Sequence, residues 1–216
     1  MLPGPDTIYQ CPQCDNFISV GSLMSGNTFG AKLYSDGKHV APMMPEFPKI
    51  TRCSKCKTIF WISKSKKIVQ RGFGIAEILE DQKYQNAQTA RSLSLNDYST
   101  ALKKEVYTSD EEEIYIRKRL WWCFNDKVRD GKWLFISEGN SQRWSENTNR
   151  LMELLDATDD NEKIMLAELN RNLGYFEKCM DLLNSSENPE FNWLKTEFEK
   201  KCNDKNTKVF QLINDL

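Results

Sequence analysis

The sequence predicts an α+β protein: a small β module at the N-terminus followed by an all-α helical domain. Two observations carry this. Short β-branched and aromatic stretches, punctuated by turn residues, run from Phe17 to Trp61, between and beside two cysteine doublets. Beyond residue 95, helix caps and 3.6-residue apolar spacing take over.

The doublets are Cys11-Pro12-Gln13-Cys14 and Cys53-Ser54-Lys55-Cys56, with 38 residues between Cys14 and Cys53. Each sets two thiols at the ends of a tight turn, or knuckle, and two facing knuckles make a tetrahedral four-thiolate site suited to zinc. Iron in a rubredoxin-like, electron-carrying site would use the same ligands. Redox dithiols fit less well, because that motif opens a helix and neither doublet here does. His39, the single histidine, is read as a surface or strand-face residue rather than a fifth ligand.

Between the knuckles, Phe17-Ile18-Ser19-Val20 reads as a strand. Ala31–Tyr34 and Lys38–Ala41 flank Ser35-Asp36-Gly37, and an Asp-Gly pair signals a hairpin because glycine takes positive φ freely. Pro42, Pro45 and Pro48 remove ladder donors, so residues 42–48 read as an irregular connection. Thr58–Ile62 is a strand after the second knuckle.

The N-terminal segment therefore resembles the zinc-ribbon family over residues 9–62, with Cys11, Cys14, Cys53 and Cys56 at its four ligand positions. The resemblance implies a structural zinc ion. Ribbon knuckles often carry glycine after the second cysteine, whereas this chain has Asp15 and Lys57.

Residues 81–94 are rich in Gln, Asn, Thr and Ser. The expected division is a ribbon module over 1–71, a linker over 72–94 and a helical domain over 95–216. Asn96 or Asp97 is expected to cap a short helix through Glu105. Ser109 caps a second, with acids in its first turn and Gly131 at its end. Further helices are expected near 145–156, 160–173, 175–185, 189–203 and 207–214.

In the second of these helices, Cys123, Ile116, Leu120, Phe124, Val128, Trp121 and Ile114 share one arc. Arg117 falls inside it and is expected to pair with a carboxylate. Tyr115, Arg119, Trp122, Asp126 and Arg129 form a second stripe, read as an internal seam in preference to a contact hot spot.

Residues 160–184 carry Ala167, Gly174, Phe176, Cys179 and Leu183 at spacings that resemble one tetratricopeptide-type helical hairpin. Asn170 stands where that repeat usually has an aromatic, and Pro189 comes early. An ordinary antiparallel pair in a small bundle fits these residues equally.

Residues 1–71 carry ten basic and four acidic groups, and the remainder 20 and 27. A basic ribbon permits nucleic acid as partner, with Lys55, Lys57, Lys64, Lys66, Lys67 and Arg71 on phosphates and Phe60 or Trp61 for stacking. A protein partner for the helices is the leading expectation. Mean hydropathy is −0.63 and no apolar run approaches the roughly 18–20 residues of a bilayer span, so no membrane is expected. An odd count of seven cysteines and the absence of a secretory leader lead to an expected cytoplasmic location. Ser25–Gly30 lacks the spacing and Lys-Ser/Thr of a phosphate loop, and no nucleophile elbow or metalloprotease helix occurs, so catalysis is not expected.

Overall fold

The computed structural model describes residues 1–70 and 84–213. Strands β1 (Leu2–Gln10) and β2 (Phe17–Ser25) precede the short pair β3 (Lys32–Tyr34) and β4 (His39–Val40). Then come β5 (Ile50–Arg52), β6 (Ile59–Trp61), β7 (Lys66–Gln70) and β8 (Gln88–Thr89). Helices α1 (Leu95–Lys103), α2 (Asp110–Arg129) and α3 (Glu138–Leu154) follow. The chain closes with α4 (Asp160–Asn172), α5 (Phe176–Asn184), α6 (Asn192–Asn203) and β9 (Gln211–Leu212). A β region followed by helices is the α+β class expected.

The chain divides into two compact units. The first comprises Met1–Ala31 and Ala41–Val106, the second Lys32–Val40 and Tyr107–Leu216. Described residues of the expected linker, 84–94, group with the first unit. The hairpin between the knuckles groups with the helices.

In the first unit a four-stranded sheet runs β7-β1-β2-β8, and β5 pairs with β6. Strand β1 covers residues for which no strand is expected from the sequence, and it accommodates two prolines. Register shifts between Leu2 and Pro3 and between Gly4 and Thr7 absorb Pro3 and Pro5, and β7 pairs β1 only over Thr7–Gln10, leaving the prolines at an edge without a lost donor. Ile8, Ile18, Ile50, Phe60, Trp61 and Ile62 are buried, and the Trp61 ring N–H donates to the Val106 carbonyl at 2.6 Å. The cap of α1 is Ser94, not Asn96 or Asp97. Its hydroxyl accepts from the Asp97 N–H at 3.2 Å while Asp97 reaches back to the Ser94 backbone, a reciprocal capping box.

The second unit is built on helix ends that the sequence announces. Ser109 caps α2. Gly131, at φ +72°, closes it by donating from its N–H to Val128, while Lys132 donates to Lys127. Gly174, at φ +85°, ends α4 in the same way. Helix α3 starts at Glu138, earlier than expected, because the Ser137 hydroxyl accepts from the Asn140 N–H. A 3-10 turn over Pro189–Phe191 delays α6 to Asn192.

Helix α2 buries Ile116, Leu120, Trp121 and Phe124, and Arg117 pairs with Glu113 at 2.7 Å as expected. The C-terminal part of its second stripe, Trp122, Asp126 and Arg129, is covered by the β3–β4 hairpin rather than by another helix. Trp122 Nε1 donates to the Asp36 carbonyl at 3.0 Å, Asn125 Nδ2 donates to the Asp36 carboxylate at 2.8 Å, and Arg129 pairs with that same carboxylate. Lys38 closes on Asp126 at 2.6 Å.

The expected helix at 207–214 does not form over its described residues. Strand β9 instead pairs antiparallel with β3, Leu33 opposite Leu212. Arg171 donates to the carbonyls of Asn206 and Lys208, and Asn172 to that of Thr207, so side chains take carbonyls that a helix would need. Arg171 also pairs with Glu168, and both are fully buried. The Ser35 hydroxyl donates to Glu168 at 2.7 Å. The turn that the sequence places at a hairpin tip is thus buried inside the helical unit.

Candidate metal centre

Each knuckle is the turn of a β-hairpin: the first joins β1 to β2, the second β5 to β6. Both fold by the same two backbone bonds. Cys11 N–H donates to Asn16 and Asp15 N–H to Cys11; Cys53 N–H donates to Thr58 and Lys57 N–H to Cys53. The chain leaves each turn through a left-handed residue, Asp15 at φ +57° and Lys57 at φ +65°. Asp15 is steadied by a 2.9 Å bond from Gln10. The Lys57 ammonium donates back to the Ser54 carbonyl, but the backbone conformation that glycine would take freely is still a local cost there.

The four sulfurs of Cys11, Cys14, Cys53 and Cys56 lie within 4.8 Å of one another. Cys11 to Cys56 and Cys14 to Cys53 are each 3.6 Å. A tetrahedral ion with bonds of about 2.3 Å spaces its sulfurs ~3.8 Å apart, inside this spread. The cluster therefore has the donor set and the size for one metal ion, and fits a ribbon-like module. Four sulfurs fill four corners, leaving no open position.

The surroundings push the thiols in opposite directions. Burial among Ile18, Phe60, Ile62 and Ala90 pushes the Cys11 thiol up to about 12, against the N–H groups of Gln13 and Cys14 that favour its thiolate. At Cys14 the Asn16 N–H lowers the thiol, but burial and the neighbouring Cys56 and Cys53 leave it raised. The hydroxyl and N–H of Thr58 bring Cys56 down to about 6. A bound divalent cation deprotonates such thiols outright. Two contacts went unread in the sequence. Asn16 Nδ2 approaches Cys53 Sγ at 3.7 Å and Thr58 Oγ1 lies 3.3 Å from Cys56 Sγ. Their signal is positional: each is the polar residue two places after its knuckle's second cysteine.

His39 lies exposed on β4, in the other unit, and no further cluster of three or more His, Cys, Asp or Glu forms among the described residues. Phe60 and Trp61 are buried, which overturns the expectation that they stack bases. Lys55 is exposed, and Arg71 lies outside the described residues. In the helical unit, burial raises the half-buried Cys123 to about 11, while Cys179 and Cys202 share one apolar cluster with Ala167, Leu183 and Phe198. No described helix is long and apolar enough to cross a membrane.

No protein family, curated protein or solved structure gives a match to this chain.

Proposed function

We propose that this is a non-catalytic protein of the cytoplasm in which a zinc ion staples the N-terminal unit and the helical unit docks a protein partner. The observation that carries the reading is the closed cluster of Cys11, Cys14, Cys53 and Cys56, whose sulfurs meet with no corner left for a substrate. A closed thiolate site is structural. Its contribution to folding is on the order of 10–16 kcal/mol, which a small, thin-cored module needs. All seven cysteines are unpaired, in keeping with a reducing compartment.

The partner role rests on the α4–α5 pair. Ala167 and Cys179 are the small residues where the helices meet, Leu183 is buried one turn on, and Gly174 makes the turn. These positions support a tetratricopeptide-like reading of the pair, a type of helical scaffold whose stacked hairpins form extended binding surfaces.

Metal analysis of the native protein tests the first half. About one zinc per chain and no visible colour is the expected result, whereas ferric thiolate absorption makes it an iron site. Cys11→Ser or Cys56→Ser is expected to release the ion and unfold both knuckles; retained metal and melting temperature refute the reading. Affinity capture with the full chain, followed by loss of the captured protein on substitution at the α4–α5 surface, tests the second half.

A further inference from the structure

We propose that the cleft beside the second knuckle binds a phosphate group, held by Arg52, Lys57 and Arg91. This goes beyond the metal reading and does not depend on which metal is bound. The cleft measures about 310 Å³ and is lined by these three cations with Ser54, Ser92 and Asp97 among others.

Its origin lies in how the segment 88–91 is tied to β5. No backbone ladder joins the two. Gln88 Nε2 donates to the Arg52 carbonyl at 2.7 Å and its oxygen accepts from the Ser54 N–H at 2.6 Å. Thr51 Oγ1 donates to the Arg91 carbonyl at 3.0 Å and accepts from the Arg91 N–H at 3.2 Å. Side chains act as struts here, and struts leave a gap where a ladder would close it.

The charge on the walls then selects an anion. The sole acid of the lining, Asp97, is already engaged by Arg52 at 2.9 Å and by the Ser94 hydroxyl at 2.7 Å. The Arg91 side chain is exposed and makes no hydrogen bond or ion pair among the described residues. Among the described residues, the Lys57 ammonium bonds only the Ser54 carbonyl. The described part of this unit carries ten basic and five acidic residues, so the surrounding field has the same sign. A guanidinium fork matches two phosphate oxygens at once, which favours phosphate over a monodentate anion. The volume lies at the small end of ligand sites, enough for a compact phosphorylated molecule. With Phe60 and Trp61 buried, recognition falls on phosphate rather than on a base.

The test is an NMR titration of the metal-loaded, full-length protein with inorganic pyrophosphate, and in parallel with a short single-stranded oligonucleotide at about 50 and 200 mM salt. Saturable shifts confined to residues 51–57 and 88–97 are expected with pyrophosphate. Arg91→Glu is expected to weaken binding by about tenfold or more, and Arg91→Lys by less, since it keeps charge without the fork. Binding of pyrophosphate alone assigns the phosphate to a small molecule. Oligonucleotide binding that needs Arg91 and falls steeply with salt assigns it to a nucleic-acid backbone. Shifts scattered over the surface lysines, no saturation with pyrophosphate, or unchanged affinity in Arg91→Glu overturns the proposal. Wild-type shift mapping decides the matter even where a variant folds poorly.

Discussion

Replacing Glu168 by glutamine changes one atom in the interior of the helical unit and is expected to be among the most damaging single changes in the chain. Four donors converge on this fully buried carboxylate: Ser35 Oγ at 2.7 Å, Arg171 Nη2 at 2.6 Å, Asn172 Nδ2 at 3.0 Å and Arg171 Nε at 2.8 Å. Three of them meet Oε1 and one meets Oε2. Burial pushes the carboxyl upward, and the Arg171 guanidinium and Ser35 hydroxyl oppose that shift. Arg171 and Asn172 can only donate here, so the network fits the charged form. A glutamine oriented with its oxygen at Oε1 turns an NH2 group onto the Arg171 N–H, and the guanidinium loses its counter-charge. Breaking a buried pair by removing one partner costs about 3–5 kcal/mol. With a urea slope of about 2 kcal/mol/M, the unfolding midpoint drops by roughly 2 M. Tryptophan fluorescence reports it, because the Trp121 ring N–H is bonded to Asn172 at 3.0 Å. Arg171→Met is expected to cost a similar amount, and the double variant less than the sum. A loss below about 1 kcal/mol for Glu168→Gln, or simple additivity in the pair, refutes the reasoning.

Other expectations follow from single contacts. Lys57→Gly relieves the left-handed strain at φ +65° and is expected to raise the stability of the metal-loaded first unit by about 0.5–1 kcal/mol; a lower melting temperature contradicts it. Chelation of the metal is expected to unfold the knuckles while the far-ultraviolet helical signal persists, so a parallel loss of helix argues against a local staple. At Glu113 burial raises the carboxyl, but the guanidiniums of Arg150 and Arg117 win and hold it below the usual range. Its contribution is therefore present above the unfolded carboxylate range, about 4.5, and is lost as pH falls through the depressed value. Glu113→Gln is expected to flatten this acid limb of a stability–pH curve, and an unchanged slope removes Glu113 as its source.

Much of the site was legible in the sequence because it depends on spacing. Two doublets with strand-like flanks specify two hairpin turns, and hairpin turns bring their ends together whatever the rest of the chain does. Helices α2 and α4 were legible for a similar reason, since Ser109, Gly131 and Gly174 are local stop and start signals. What stayed hidden depends on distant partners. Nothing near residue 210 forbids a helix; the side chains of Arg171 and Asn172, over 30 residues earlier, take its carbonyls. Ser35 and Asp36 look like an exposed turn because their partners Glu168 and Arg129 lie about a hundred residues away. Phe60 and Trp61 carry the same apolar surface whether they pack or stack, and only burial tells which.

The β3–β4 hairpin ties the order of synthesis to the order of assembly. Its residues leave the ribosome early, yet they must wait for α2, α4 and finally β9 before Ser35 and Asp36 lose contact with water. During that wait the first unit has all of its own segments only once residue 106 has emerged, with the hairpin looped out of its middle. No single cut divides such a chain into two self-sufficient pieces: a fragment beginning at Tyr107 leaves Glu168 and Arg129 facing a gap, and one ending at Val106 carries a loop with nowhere to go.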